Sequence, residues 1–492
     1  MACTSTSRAD QATEPVRETL WTSPAIYSRR HRKSASALLA VHNQLARQRP
    51  LGGREAGFLE LVEQARSAPA EAFTRVWTDP VAYYWVRIAY ELLYAVLNET
   101  PATGVAAACA RDYGAADTAA ALERHLHEFR RFALGIAAAG GPGCRFDEPY
   151  RAGLPFALPG SLLYVAGRGE IAVYGIDGDT LYCRHGDTER HLPLRPAASA
   201  DTGPRVEQCP VAGVDDYRCG LNAAAFNNLP GMEFTAPVQA AGPAFQEHRV
   251  ELVQQTLQVL RDRAPEVFAQ FADAVPYIAL KPLRGGDYTN LAHSELPGTF
   301  IAAAIDHPHE MADTFIHEFH HNRLFFLEET GPFFDETHTQ ALEEQRYYSP
   351  WRDDLRSLHG IYHAVYVFIP VTRFWLRVLA EDPPDDSLRA YAGERIARFL
   401  LQLRIGIAQI DRHAELTPYG EALFRQMAGD VAELEGLARA AGVDDRAAAL
   451  ACGADGRIAP AGASSVRADV LEHLARFAPR QQRTHLESRL AP

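Results

Sequence analysis

The sequence predicts an α+β protein that is mainly helical, and three observations carry that expectation. Apolar residues recur at helical spacing through most of the chain. Short β-branched and aromatic runs, divided by glycine and aspartate turns, are concentrated in the middle. A second set of strand-like runs leads into a helix rich in histidine and glutamate. The chain has 492 residues, 47% hydrophobic and 23% charged, enough for two or three cores. The expected organisation is a helical N-terminal region over 1–143 and a small β-rich, irregular region over 144–242. A third domain follows over 243–441, then a tail over 442–492 with one helix.

Taken in order, 36–48, 55–67, 79–98 and 115–139 carry helical periodicity. Asp79-Pro80 is a start signal, a capping residue followed by proline at the first helical position. The Ala-Ala-Ala-Gly-Gly-Pro-Gly run at 137–143 ends this block. Runs at 161–165, 170–174 and 180–184 are separated by Gly-Arg-Gly and Asp-Gly-Asp, which predicts small antiparallel hairpins. Edges of such a sheet offer an extended peptide a place to add a strand. A helix is expected over 243–272 and strands over 275–282 and 299–305. Helices are expected over 311–328, 336–347, 357–381, 386–412 and 418–440, with one more near 464–478.

The helix at 311–328 contains His317-Glu318-Phe319-His320-His321, which reads His-Glu-x-x-His. Residues four apart lie one turn above each other on one helical face, so two imidazoles can grip one ion without bending the backbone. The intervening glutamate is placed to reach a metal-bound ligand or water. A sheet that feeds such a helix predicts a zincin-like arrangement, and 243–441 is read as the metal-binding catalytic domain.

Composition narrows the partners. A formal charge of −13 argues against nucleic acid, whose phosphates need clustered Lys and Arg. The N-terminal residues lack an apolar secretory core, and no stretch reaches membrane-spanning length. The seven cysteines (Cys3, Cys109, Cys144, Cys183, Cys209, Cys219, Cys452) contain no Cys-x-x-Cys pair. Together these predict a reduced, cytoplasmic chain. No sequence feature sets an oligomeric state.

Two histidines hold a metal weakly, so a third ligand is required. His363 stands in an otherwise apolar and aromatic helical face, and Glu343 and Glu344 lie closer in sequence. A glutamate would suit a zinc peptidase with Glu318 as the general base, taking the proton from metal-bound water. His320 falls on the flank of the motif face, a position for a supporting or surface residue.

Tyr347-Tyr348-Ser349-Pro350-Trp351-Arg352-Asp353-Asp354 lies between the motif and Gly360-Ile361-Tyr362-His363-Ala364-Val365-Tyr366. With the motif, these stretches resemble the His-Glu-x-x-His peptide-modification family of ribosomal peptide clusters. The resemblance is clearest over 306–375 and extends more weakly to Asp79-Pro80 with Trp85 and Arg87. It departs from the family's pattern at Leu358-His359-Gly360, where a more glycine-rich stretch is common. The resemblance implies an iron(II)- and 2-oxoglutarate-dependent oxygenase that hydroxylates a β-carbon in a ribosomally made precursor peptide. The ligand set would then be His317, His321 and either His363 or a carboxylate. Arg352 is the candidate cation for the distal carboxylate of 2-oxoglutarate, because a guanidinium fork holds a carboxylate in bidentate fashion. Tyr348 and Ser349 would assist through their hydroxyls, and Glu318 would act by orienting a ligand. The other reading, a zinc metallopeptidase, rests on the motif alone.

Overall fold

Seven helices open the structure: Ala25–Gln48, Ala56–Ser67, Ala70–Trp77, Pro80–Leu97, Gly104–Asp112, Thr118–His127 and Phe129–Ala138. The computed structural model describes residues 25–195, 203–221, 229–232, 243–282, 290–335, 345–380, 385–443, 448–452 and 458–490. The fold is mixed α+β and mainly helical, with small, largely antiparallel sheets. Asp79 caps the fourth helix as its sequence signal predicts, accepting from Val81 N at 2.9 Å with Pro80 at the first position.

The periodicity over 115–139 predicts one helix, and the structure divides it at Glu128. There the amide turns tightly back to His125 O and the carboxylate accepts from Tyr150 OH at 2.9 Å. The predicted 243–272 helix also divides, into Pro243–Arg263 and Pro265–Ala274. Proline has no N–H and clashes with a helical residue before it, which drives Ala264 to φ −146°, ψ 59°. Of the expected 336–347 helix, 336–344 lies outside the described residues. Tyr347 is not helical but bridges to Arg356.

The middle region holds more strands than its alternation reveals. Cys144–Gly153, Glu170–Asp177, Thr180–His185 and Thr188–Pro193 form a four-stranded antiparallel sheet in that order. Its edges are therefore Cys144–Gly153 and Thr188–Pro193, outside the 161–184 hairpins. Phe156–Leu158, Leu163–Ala166 and Arg205–Gln208 make a second sheet. The buried cysteines Cys109, Cys144, Cys183, Cys209 and Cys219 are free thiols.

The third sheet positions the motif. Phe300–Ala304 is central, parallel to Ala279–Pro282 on one side and antiparallel to Leu291–Ala292 on the other. Side chains alternate along a strand, and the two faces belong to different cores. Tyr277, Ala279 and Ile301 join the N-terminal core around Trp77, Trp85, Phe129 and Phe132. Ile278, Leu280, Phe300 and Ala302 join the core of the long helices Pro308–Glu328, Leu358–Ala380, Asp386–His413 and Pro418–Ala440. One sheet therefore backs both halves of the molecule.

The tail holds a Val466–Phe477 helix and a further one, Arg480–Arg489. With Tyr348 and Leu401 they form a small third core. Among the described residues, no helix is long and apolar enough to cross a membrane.

Candidate metal centre

The motif helix Pro308–Glu328 starts where His307 caps it and Pro308 takes the first position. It is then fixed on three sides. Phe315 and Phe319, one turn apart, pack on Phe271, and Phe315 also packs on Phe300, with centroid separations of 5.4–5.8 Å. Asn322 ties the helix to the sheet, accepting from Gly298 N at 2.9 Å and donating to Thr299 O. Asp313 accepts from Trp375 Nε1 at 2.6 Å and from the Arg395 guanidinium at 2.8 Å.

The fourth side is the open one. Between Glu310 and Glu328 every residue is buried except His317, His321, Phe325 and Glu328. Steps of four, four and three place these on one stripe of the helix. Helix Leu358–Ala380 runs antiparallel along that stripe. Its Phe368 ring meets His317 at 4.8 Å, its His363 ring meets His321 at 5.8 Å, and its His359 meets Glu328. Contacts climb one helix as they descend the other, so the two elements form a seam lined by four imidazoles and one carboxylate.

Two groupings occur within the seam. The Nε2 atoms of His317 and His321 lie 3.1 Å apart. Metal–nitrogen bonds of about 2.1 Å require roughly 3.0 Å between adjacent octahedral ligands and roughly 3.4 Å between tetrahedral ones. The pair therefore fits one shared ion. In the second grouping, Glu328 Oε1 lies 2.5 Å from His359 Nε2 and 3.0 Å from His363 Nε2. Among the described residues this is the one set of three such side chains whose ligand atoms all fall within 4.8 Å of one another.

Electrostatics favour the ligand forms. Burial lowers His317 to about 4 and takes His321 well below its ordinary value, aided by the charges of neighbouring histidines. Burial lowers His363 as well, against the pull of Glu328. Neutral imidazole is the metal-binding form. Glu328 is held down to about 2: burial opposes ionisation, but hydrogen bonds from His359 and His363 outweigh it.

Glu318 behaves differently. Burial pushes its carboxyl up to about 8, partly offset by a hydrogen bond from the Ala292 amide. At neutral pH it is largely a protonated acid clipped to the Leu291–Ala292 strand.

The structure separates the residues that sequence grouped around the keto acid. Arg352 is exposed, and its Nε donates to Asp354 at 3.2 Å. The Tyr348 hydroxyl bonds to His473 Nδ1 at 2.8 Å, toward the tail helices, and Ser349 is buried. Trp351 is nearer the seam, stacked at 5.3 Å on the Phe368 ring that packs against His317. His320 is buried and bonds to Ile316 O at 2.7 Å, a core position rather than a surface one. Glu343 and Glu344 lie outside the described residues.

Glu328 and His359 were not among the sequence candidates. A signal was present: His359 and His363 repeat the four-residue spacing of the motif, and Glu328 continues the His317–His321 stripe. No protein-family model and no curated protein matches the chain.

Proposed function

We propose that His317 and His321 hold iron(II), and that the protein is a 2-oxoglutarate-dependent oxygenase hydroxylating a β-carbon of a ribosomally made precursor peptide. The observation that carries the metal is the 3.1 Å separation of two half-buried imidazole nitrogens on one helix. The reaction class and the peptide rest on the resemblance over 306–375. The strand order around Phe300–Ala304, feeding the motif helix, is compatible with a zincin-like arrangement. When bound, iron(II) with dioxygen and a keto acid supplies oxidation of an unactivated C–H bond.

The remaining roles fall to this chain's own side chains. The third ligand is drawn from His363, beside His321, or from Glu343 and Glu344. In the metal-free protein Glu318 is bonded to the Ala292 amide, the place of a supporting residue; the hydrolase would need it ionised and turned to metal-bound water. Arg395 is half-buried and already matched by two carboxylates, Asp313 at 2.8 Å and Glu310 at 3.9 Å.

The test is anaerobic reconstitution with iron(II) and 2-oxoglutarate, followed by the weak visible metal-to-ligand band. A band that disappears in His317→Ala is the expected result. One tightly held zinc, no band, and peptidase activity lost in Glu318→Gln would replace the oxygenase with the hydrolase.

A further inference from the structure

We propose that Glu328, His359 and His363 form a second divalent-cation site, separate from the His317–His321 pair and next to it on the same seam. Two imidazole nitrogens and one carboxylate oxygen are a sufficient protein set for zinc, manganese or iron(II), with positions left open for water or an added ligand. Both imidazoles address the same oxygen, Glu328 Oε1, at 2.5 and 3.0 Å. Ligands on one ion are spaced by roughly 3 Å when bonds are about 2.1 Å. Small rotations of the three side chains would therefore admit a cation.

Charge and access agree with this assignment. Glu328 is the carboxylate of the cluster, and a divalent ion would compensate its charge. The adjacent cation Lys33 is spent on Glu329, at 3.2 Å, and not on Glu328. His363 forms the buried wall, whereas the His359 side chain is half exposed and that of Glu328 about a quarter exposed. Solvent thus reaches the cluster from the end of the seam.

The geometry also separates this cluster from the motif pair. His363 Nε2 is committed to Glu328, and the described residues contain no grouping of His317, His321 and His363 with all ligand atoms within 4.8 Å. If His363 serves the second ion, the motif pair completes its shell from another group.

The experiment strips the full-length protein with a chelator and titrates it anaerobically with cobalt(II), reading the visible spectrum and counting metal after desalting. Two ions per chain are expected. His359→Ala and Glu328→Gln should each lose one ion and keep the other, while His317→Ala loses the complementary one. His359 is exposed enough that its removal should leave the circular dichroism melt unchanged, so that variant decides if Glu328→Gln misfolds. A single ion lost in His359→Ala but kept in His317→Ala would support the second site and remove the basis of the iron reading. A single ion lost in His317→Ala and indifferent to His359→Ala would overturn the second site. Loss of one shared ion in both variants would overturn it too, by showing a single centre.

Discussion

Asp79 and the histidine seam are both polar clusters beside long helices, yet they are built on opposite plans. Asp79 accepts from two fixed amides, Val81 N and Gly160 N, and from Tyr277 OH, at 2.9–3.0 Å. Gly160 can supply its amide because it sits at φ +72°, where an added Cβ would meet the Val76 backbone at 2.7 Å. That carboxylate joins the N-terminal helices to the shared sheet and has no partner still to find. In the seam, the polar groups face one another: His317 meets His321, and Glu328 meets two histidines. Buried polar atoms satisfied by the scaffold serve stability. Those satisfied only by other ligand-type side chains are placed to exchange those partners for an ion.

The strongest way to break the comparison is to remove one residue from each region. His317→Ala should abolish binding at the motif pair, exceeding the roughly 10–100-fold loss typical of a supporting partner. Metal counting after desalting would show it, with thermal stability of the metal-free protein nearly unchanged. Asp79→Ala should do the reverse and destabilise by roughly 2–4 kcal/mol, through a lost cap and orphaned donors, without altering metal stoichiometry. Denaturant titration measures this, and metal loss in the Asp79 variant would erase the distinction.

Acid sharpens it further, with opposite signs. Burial lowers His317 to about 4 from an ordinary 6.5, so in the metal-free state the unfolded chain binds that proton more readily. Stability from this residue is present above about 6.5 and is lost as pH falls to about 4. Asp79 is raised above 3.8 by burial, so acid protonation relieves its desolvation instead. A His317→Phe variant should show a shallower acid decline between pH 6.5 and 4 in melts of the metal-free protein. An unchanged decline would assign the effect to other histidines.

Smaller effects test the roles of individual groups. Asp79→Asn keeps an oxygen acceptor and sheds the buried charge, so it should cost less than Asp79→Ala. Arg352→Ala breaks an exposed ion pair and should stay within about 0.5 kcal/mol of the parent protein. Titration with 2-oxoglutarate on the iron(II) protein should be unaffected by Arg352→Ala. A tenfold weakening in Arg352→Ala would return the anchoring role to that loop.

Much of this protein follows from local sequence. The Asp79-Pro80 cap, the 418–440 helix and the motif helix were legible, because capping chemistry and apolar period act over a few residues. His317 and His321 were legible for the same reason, since a four-residue spacing on a helix brings two rings together whatever surrounds it. Strand Cys144–Gly153 escaped notice because its alternation is broken by Asp147, Glu148 and Pro149, where the pairing register shifts.

Tertiary structure alone decided which side chains meet across the seam. Glu328 and His359 are 31 residues apart in sequence and touch only because two helices pack antiparallel. The sheet holds Glu318 at the Ala292 amide, and Arg352 lies in solvent beside Asp354. A motif specifies which residues share a face of one helix. Which face stays open, what lies opposite and which charges are buried depend on distant segments, and no local spacing encodes them.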